Sequence, residues 1–302
     1  MIRLRPSAAS YLRPITVAVF ALVTVRLAVP PVIVGLPFGW DAPVYTEAAR
    51  AWLEGGNPWA AHGYAFPFAG PPPSLLPFVP FIVLPAGATS AAWVGIAAAS
   101  AVYALRRLQL PLWWLLFPPV SLGIMAGSSA LLVTALLVRG GVLADGAAVL
   151  TRVYAAIPLV LRRRWRSLIV AAGMLAVTLP MWPQWLAERE RWAAAFAGVE
   201  GLSATSVPLL IPFALVGLAV MGSERAAWLA VPVLWPDTQL YYAVIALPAL
   251  VRSPFVTLSL AIPVPGLVVW GMLGQALSEG WRPWRRSSWA TDLRRVHRSI
   301  KT

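Results

Sequence analysis

The chain is expected to fold as an all-α, polytopic transmembrane bundle, and three features of its sequence carry that expectation. Apolar residues fill 59 % of the 302 positions and charged ones only 12 %, with a mean hydropathy of +0.74, outside the balance of a water-soluble domain. The apolar residues fall in runs that approach the roughly 20 residues a span needs, and the short loops between them leave room for about 10 to 11 spans and no separate soluble domain. Arginine collects at the ends of the runs and in the tail, where the positive-inside bias places it.

One integral unit over residues 1–302 follows. Arg3, Arg5 and Arg13 precede the first run, Ile15 to Val34, so residues 1–14 are expected in the cytoplasm. That run lacks a small-residue cleavage site and reads as a retained signal-anchor. Residues 35–72 form an outer loop containing GWDAPVYTEAARAWLEGGNPW (Gly39 to Trp59), a substantial polar segment between two apolar blocks. In it Tyr45, Ala48, Ala49, Trp52 and Leu53 recur at i, i+3, i+4, i+7 and i+8, the spacing of an amphipathic helix lying on the membrane surface. Thr46, Glu47, Arg50 and Glu54 occupy its other face, and Gly55-Gly56 with Asn57-Pro58 stop it.

Pro71 to Pro73 open a second span of about 14 residues that ends near Pro85, since proline is tolerated at a helix start. A third span covers Ser90 to Leu105. Leu110 to Ala126 and Ser129 to Val138 are shorter runs interrupted by Pro118-Pro119 and Gly127-Ser128-Ser129, a pattern of broken helices lining a cavity. The sixth run, Gly141 to Leu161, ends at Arg162, Arg163, Arg164 and Arg166. The seventh, Ser167 to Trp182, leads to a second outer loop, 184–206. There Trp185, Leu186, Trp192 and Phe196 oppose Glu188 to Arg191 in a second interfacial helix. Val207 to Met221, Ala226 to Trp235 and Leu240 to Val251 bracket a short outer loop, Pro236 to Gln239. A straight span from Pro254 to Leu277 would leave the basic tail, 278–302, outside, so a turn at Pro263-Pro265-Gly266 is expected to return it. The same count puts Arg106, Arg107 and Arg139 outside, against the charge rule.

Several function classes are disfavoured. No G-x-x-x-x-G-K-[ST] or G-x-G-x-x-G is present, so activated groups must arrive from elsewhere. The net charge of +13, with Lys301 the single lysine, fits span ends and anionic lipid headgroups rather than nucleic acid. The absence of cysteine excludes thiolate sites, and His62 and His297 lack metal-ligand spacing, so no metal is expected. Arg152 stands near the middle of a run, where an arginine must face a cavity or a partner. Asp145, seven residues earlier on the same helix face, is one such partner.

The Gly39 to Trp59 segment, followed by GPPPSLLPFVPFIVLP, resembles the D-x3-Y-x-x-A…L-x-G-x-x-P-(aromatic)…Y-P-P arrangement of glycosyltransferase family 87, polyprenol-phosphate-dependent mannosyltransferases and relatives of the GT-C superfamily. GSSALLVTALLVRGG…LADGAAVLTRVYAAIPLVLRRRW is similar to the family's segment with Gly-Gln-x-Asn and Lys-Pro motifs and an arginine-rich span end. WPDTQLYYAVIALPAL is similar to its late P-x-(S/T)-x-x-H-Y-x-x-x-x-x-P segment. The likeness runs over residues 10 to 255. Gly127-Ser128-Ser129 departs from the amide-bearing motif, Arg152 stands where the family often has lysine, and Leu240 or Tyr241 near where it often has histidine.

The resemblance implies a GT-C bundle in the cell membrane that moves a sugar, with mannose the one implied, from a polyprenyl phosphate to a glycan or glycolipid acceptor at the extracytoplasmic face. The lipid-linked sugar is a substrate and no cofactor is implied. It also implies Asp41 as the general base, taking the proton of the attacking hydroxyl; the residue's other reading is a cap on the helix that starts near Pro43. Arg152 and Arg26 are candidates for the lipid phosphate. Tyr45, Glu47, Arg50, His62 and Tyr64 of the first outer loop, and Asp237, Gln239, Tyr241 and Tyr242 of the later one, are candidates for substrate contact; the charged ones among them equally suit a solvated face. A transporter or lipid flippase, with its broken helices and intramembrane arginines, is the rival from another class. A catalytically inactive relative acting as a partner subunit is a third reading.

Overall fold

The computed structural model describes residues 8–60, 62–63, 66–196, 201–236, 238–251 and 253–280. These are helical apart from connections and one minimal antiparallel pair, His62–Gly63 with Phe66–Pro67. Helix α1 (Ala8–Ile33) is mostly apolar, and the span-length part from Pro14 to Ile33 is only 6 % buried. The surface helix expected in the first loop is α2 (Asp41–Leu53), which turns Ala42, Tyr45, Ala48 and Ala49 inward.

The expected second span is absent. Pro72–Phe81 is a run of tight 3-10 turns, because prolines at 71, 72, 73, 77, 80 and 85 remove the N–H groups that an α-helical ladder requires. This segment packs on α2, with Tyr45 stacked on Phe78 at 4.3 Å and Phe78 on Trp93 at 4.2 Å. Helix α3 (Ala86–Arg107) is the second helix long and apolar enough to cross a bilayer. Helices α4 (Pro118–Ala126) and α5 (Ser129–Arg139) meet at 119°, turning at Gly127, whose φ is +65°, with Ser128 capping α5 through the Ala130 N–H.

The expected sixth span is broken in two. Helix α6 (Val142–Thr151) stops at Arg152, whose backbone is extended (φ −148°, ψ 113°), and a 3-10 turn leads into α7 (Ala156–Leu161). Pro158 fits a break here, because a continuous helix would need its N–H on the Tyr154 carbonyl, whereas α7 restarts with Pro158 in its first turn. Helix α8 (Trp165–Ala176) bends by 59° into α9 (Trp182–Ala187), and α10 (Arg189–Phe196) follows. Then come α11 (Ile211–Met221), α12 (Ser223–Leu234), a 3-10 segment Leu240–Ala246, α13 (Leu247–Leu250), α14 (Pro254–Ala261) and α15 (Leu267–Ser278). The turn at Pro263-Pro265-Gly266 is present, and α14 and α15 pack on each other as a hairpin. Among the described residues two helices are long and apolar enough to cross a membrane, or four if each bent pair counts as one span. That is well short of the ten or eleven expected.

Charge separates along the bundle. At one end lie the ion pairs Arg162–Glu224 (3.1 Å), Arg164–Asp145 (2.7 Å) and Arg225–Glu279 (2.7 Å), with Gly140 against the Arg164 guanidinium. At the other end the two loops expected on the outer side meet, where the Asn57 amide donates to Glu188 (2.6 Å) and the Trp185 indole to the Ala69 carbonyl (3.3 Å). Ser90 of α3 sits against Gly39 of the first loop, so Arg107 lies about 25 Å further along that helix, toward the arginine end. Arg106, Arg107 and Arg139 therefore share an end with Arg162 and Arg164, contrary to the span count. The count and the structure part at Pro72–Phe81, which is not an α-helix, and at α4 and α5, which form a bent pair.

Candidate functional site

The approach to α2 is set by two close contacts. Gly39 has a φ of +76°, its N–H donates to the Met125 carbonyl (2.7 Å), and a Cβ there would stand 2.7 Å from the Ser90 carbonyl oxygen. Only glycine fits. Two residues later Asp41 is the first residue of α2, while the capping position is Trp40, with no side-chain cap. Asp41 is thus no N-cap. Its Oδ2 is buried without a hydrogen-bond partner. Burial raises its pKa from 3.8 to about 6, opposed by the Arg152 charge and the Tyr241 hydroxyl.

Arg152 reaches the same region from the break between α6 and α7, its guanidinium over the Tyr45 ring of α2, and is 7 % exposed. Its Nε donates to Ser129 Oγ (2.9 Å) and a terminal nitrogen to Tyr242 Oη (3.2 Å). The guanidinium carbon lies 5.1 Å from the Tyr45 ring centroid and 5.2 Å from that of Tyr242, within cation–π range. Tyr154 packs its ring on Tyr242 at 5.3 Å, and its hydroxyl is buried without a partner. Tyr241 stands edge-on to Tyr242 at 5.0 Å. Burial also pushes the Tyr45 phenol to a higher pKa, so it stays neutral.

The anticipated pair between Arg152 and Asp145 does not form. Asp145, 1 % exposed, is held by Arg164 (2.7 and 3.0 Å) and Ser167 (2.7 Å). Extended backbone at Arg152 takes its side chain off the α6 face that Asp145 occupies. Among the described residues no carboxylate bonds to Arg152, and its contacts are neutral hydroxyls and aromatic faces. Asp41 acts on it through space without a contact ion pair.

The structure thus gathers Asp41, Tyr45, Arg152, Tyr241 and Tyr242, with Gln239 half-buried at the start of the Leu240–Ala246 segment. Arg26 is not among them. Thr24 faces inward, bonded to the Leu116 carbonyl (3.0 Å) and Ser121 (2.9 Å), and two residues on is about 200° round the helix, which leaves Arg26 exposed. Among the described residues α1 packs mainly on α4 and Leu112–Leu116. Glu47 is half-exposed, and the exposed Arg50 ties α2 to the Ile82 carbonyl (2.8 Å). Tyr64, Asp237, the His62 side chain and the tail beyond Gly280 lie outside the described residues. Ser129 and Tyr154 complete the group, and sequence reasoning passed over both. Ser129 lies in the Gly-Ser-Ser segment already singled out as a departure, and Tyr154 is two residues from Arg152. Among the described residues no three His, Asp or Glu side chains are placed to hold a metal ion.

A partly buried acid whose pKa is raised to about 6, near a guanidinium that no carboxylate bonds, suits acceptance of a proton and binding of an oxyanion at one site. No family model, curated protein or solved structure matches the chain.

Proposed function

We propose that the protein is an integral membrane glycosyltransferase that moves a sugar from a polyprenyl phosphate to a hydroxyl of a glycan or glycolipid acceptor. The observation that supports this reading best is the pairing in one buried pocket of a carboxyl oxygen without a partner and an arginine without a carboxylate. Each lacks what a reacting substrate would supply: a hydroxyl proton for Asp41 and a phosphate for Arg152. The resemblance of the Gly39 to Trp59 segment points the same way and makes mannose the first sugar to try.

In this mechanism the acceptor oxygen attacks the anomeric carbon as its proton passes to Asp41. The bond from that carbon to the phosphate oxygen breaks on the opposite face, with inversion. The developing phosphate charge falls on Arg152, which Ser129 and Tyr242 hold in place. A base with a pKa of about 6 is largely ionised at neutral pH yet basic enough to take the proton in the transition state. The meeting of the two outer loops over this end limits the access of water to the activated sugar. With the arginine-rich end in the cytoplasm by the positive-inside bias, the Asp41 end of the bundle faces the outer side.

The test uses the purified chain in liposomes with radiolabelled polyprenyl phosphate mannose and a mixture of membrane glycolipids as acceptors. Wild type is expected to transfer label, and Asp41→Asn and Arg152→Gln to lose transfer. Full transfer by Asp41→Asn would remove the proposed base. Movement of the lipid between leaflets without transfer would favour a flippase instead.

A further inference from the structure

The exposed face of α3 carries a groove unrelated to the pocket around Asp41. Ala98, Ala99, Val102, Tyr103, Arg106 and Arg107 line a shallow depression, open on its outer side, with room for about 670 Å³. These residues recur at four-residue spacing and share one helix face. The two alanines form the floor, and Tyr103, 42 % exposed, lies between them and the two arginines. Among the described residues neither arginine has a hydrogen-bond or ion-pair partner in the chain.

We propose that this groove is a binding site for one anionic phospholipid, with its phosphate on Arg106 and Arg107 and an acyl chain along Val102, Ala99 and Ala98. Three observations favour that occupant. Two guanidiniums without carboxylates among the described residues complement an anionic headgroup. The run from Ala98 to Arg107 is about 14 Å long, close to half of a hydrocarbon core of about 30 Å, which is the depth one acyl chain occupies. Tyrosine at the level between chain and headgroup is the interfacial position its amphipathic ring prefers. A second copy of the chain suits the groove less. The small residues Ala91, Gly95 and Ala99 would permit a close two-fold helix pair, but a parallel one would set Arg106 and Arg107 against their own copies.

The experiment is native mass spectrometry of the full chain released from nonionic detergent after equilibration with dipalmitoyl phosphatidylglycerol or dipalmitoyl phosphatidylcholine. Each basic residue at an anionic headgroup contributes a factor of about five, so one bound phosphatidylglycerol is expected with a preference of about 25-fold. Arg106→Gln with Arg107→Gln should bring the two lipids near parity. Ala99→Phe, at an exposed position, should displace the chain and lose the adduct with both charges intact. Equal retention of the two lipids, a preference that survives the double substitution, or an adduct indifferent to Ala99→Phe would each overturn the site. A lipid-free dimer that Ala99→Phe dissociates would assign the groove to a second copy.

Discussion

Replacing Asp41 by asparagine is expected to abolish transfer while making the protein more stable at neutral pH. Burial raises this carboxyl from 3.8 to about 6, so its contribution to stability is fullest below the unfolded value and is lost as pH rises through about 6. At pH 7.5 the folded chain therefore holds an ionised group that folding disfavours. A shift of about two units corresponds to at most about 3 kcal/mol. A carboxylate in the first turn of a helix recovers about 0.3 to 1 kcal/mol of this from the helix N-terminus, which leaves a net penalty of about 2 kcal/mol. Asparagine keeps the shape without the charge. Unfolding of wild type and Asp41→Asn in detergent, followed by tryptophan fluorescence at pH 7.5 and pH 4, measures the difference. The variant should be the more stable at pH 7.5, and the gain should nearly vanish at pH 4, where the wild-type carboxyl is protonated. A variant less stable than wild type at pH 7.5 would mean that Asp41 serves the fold, and the case for it as a base would go with that result.

The rate of transfer by wild type should fall about tenfold for each pH unit below about 6, and Arg152→Gln should move the residual activity's limb to higher pH, because the charge that lowers the Asp41 pKa is gone; a rate flat to pH 5 would contradict this. Tyr242→Phe keeps the ring under Arg152 but removes a hydrogen bond to a charged group, worth about 1.5 to 3 kcal/mol, so KM for the lipid donor should rise at least about tenfold. Tyr242→Ala, which loses the ring as well, should raise it further. Arg164→Gln strands the buried Asp145 carboxylate and should cost about 3 to 5 kcal/mol in an unfolding assay, while the pair of substitutions Asp145→Asn and Arg164→Gln should recover most of it.

Where local pattern decides the structure, the sequence is legible. Five apolar positions and a glycine stop outline α2, and the prolines before Gly266 mark the hairpin of α14 and α15. Hydropathy misleads at Pro72–Phe81, because it weighs side chains and a span also needs backbone N–H groups. The partner of Arg152 is misjudged for a related reason: a seven-residue spacing from Asp145 has meaning only on an unbroken helix, and this one ends at Arg152. Ser129 and Tyr242, 23 and 90 residues away, come to it through tertiary packing alone.

These failures coincide with the pocket. Tight or extended backbone at Pro72–Phe81, at Arg152 to Ala155 and at Leu240–Ala246 surrounds or supplies the residues near Asp41. A regular helix satisfies its backbone internally and repeats each face every turn, so it cannot bring unlike polar side chains from several segments to one buried point. Broken helices can, and at membrane depth they are tolerated only where protein or a cavity satisfies them. A helix continuing through Arg152 would return its guanidinium to the face shared with Asp145 and leave Asp41 without a cation. The break in the expected sixth span is therefore the feature that brings the arginine within electrostatic reach of the acid.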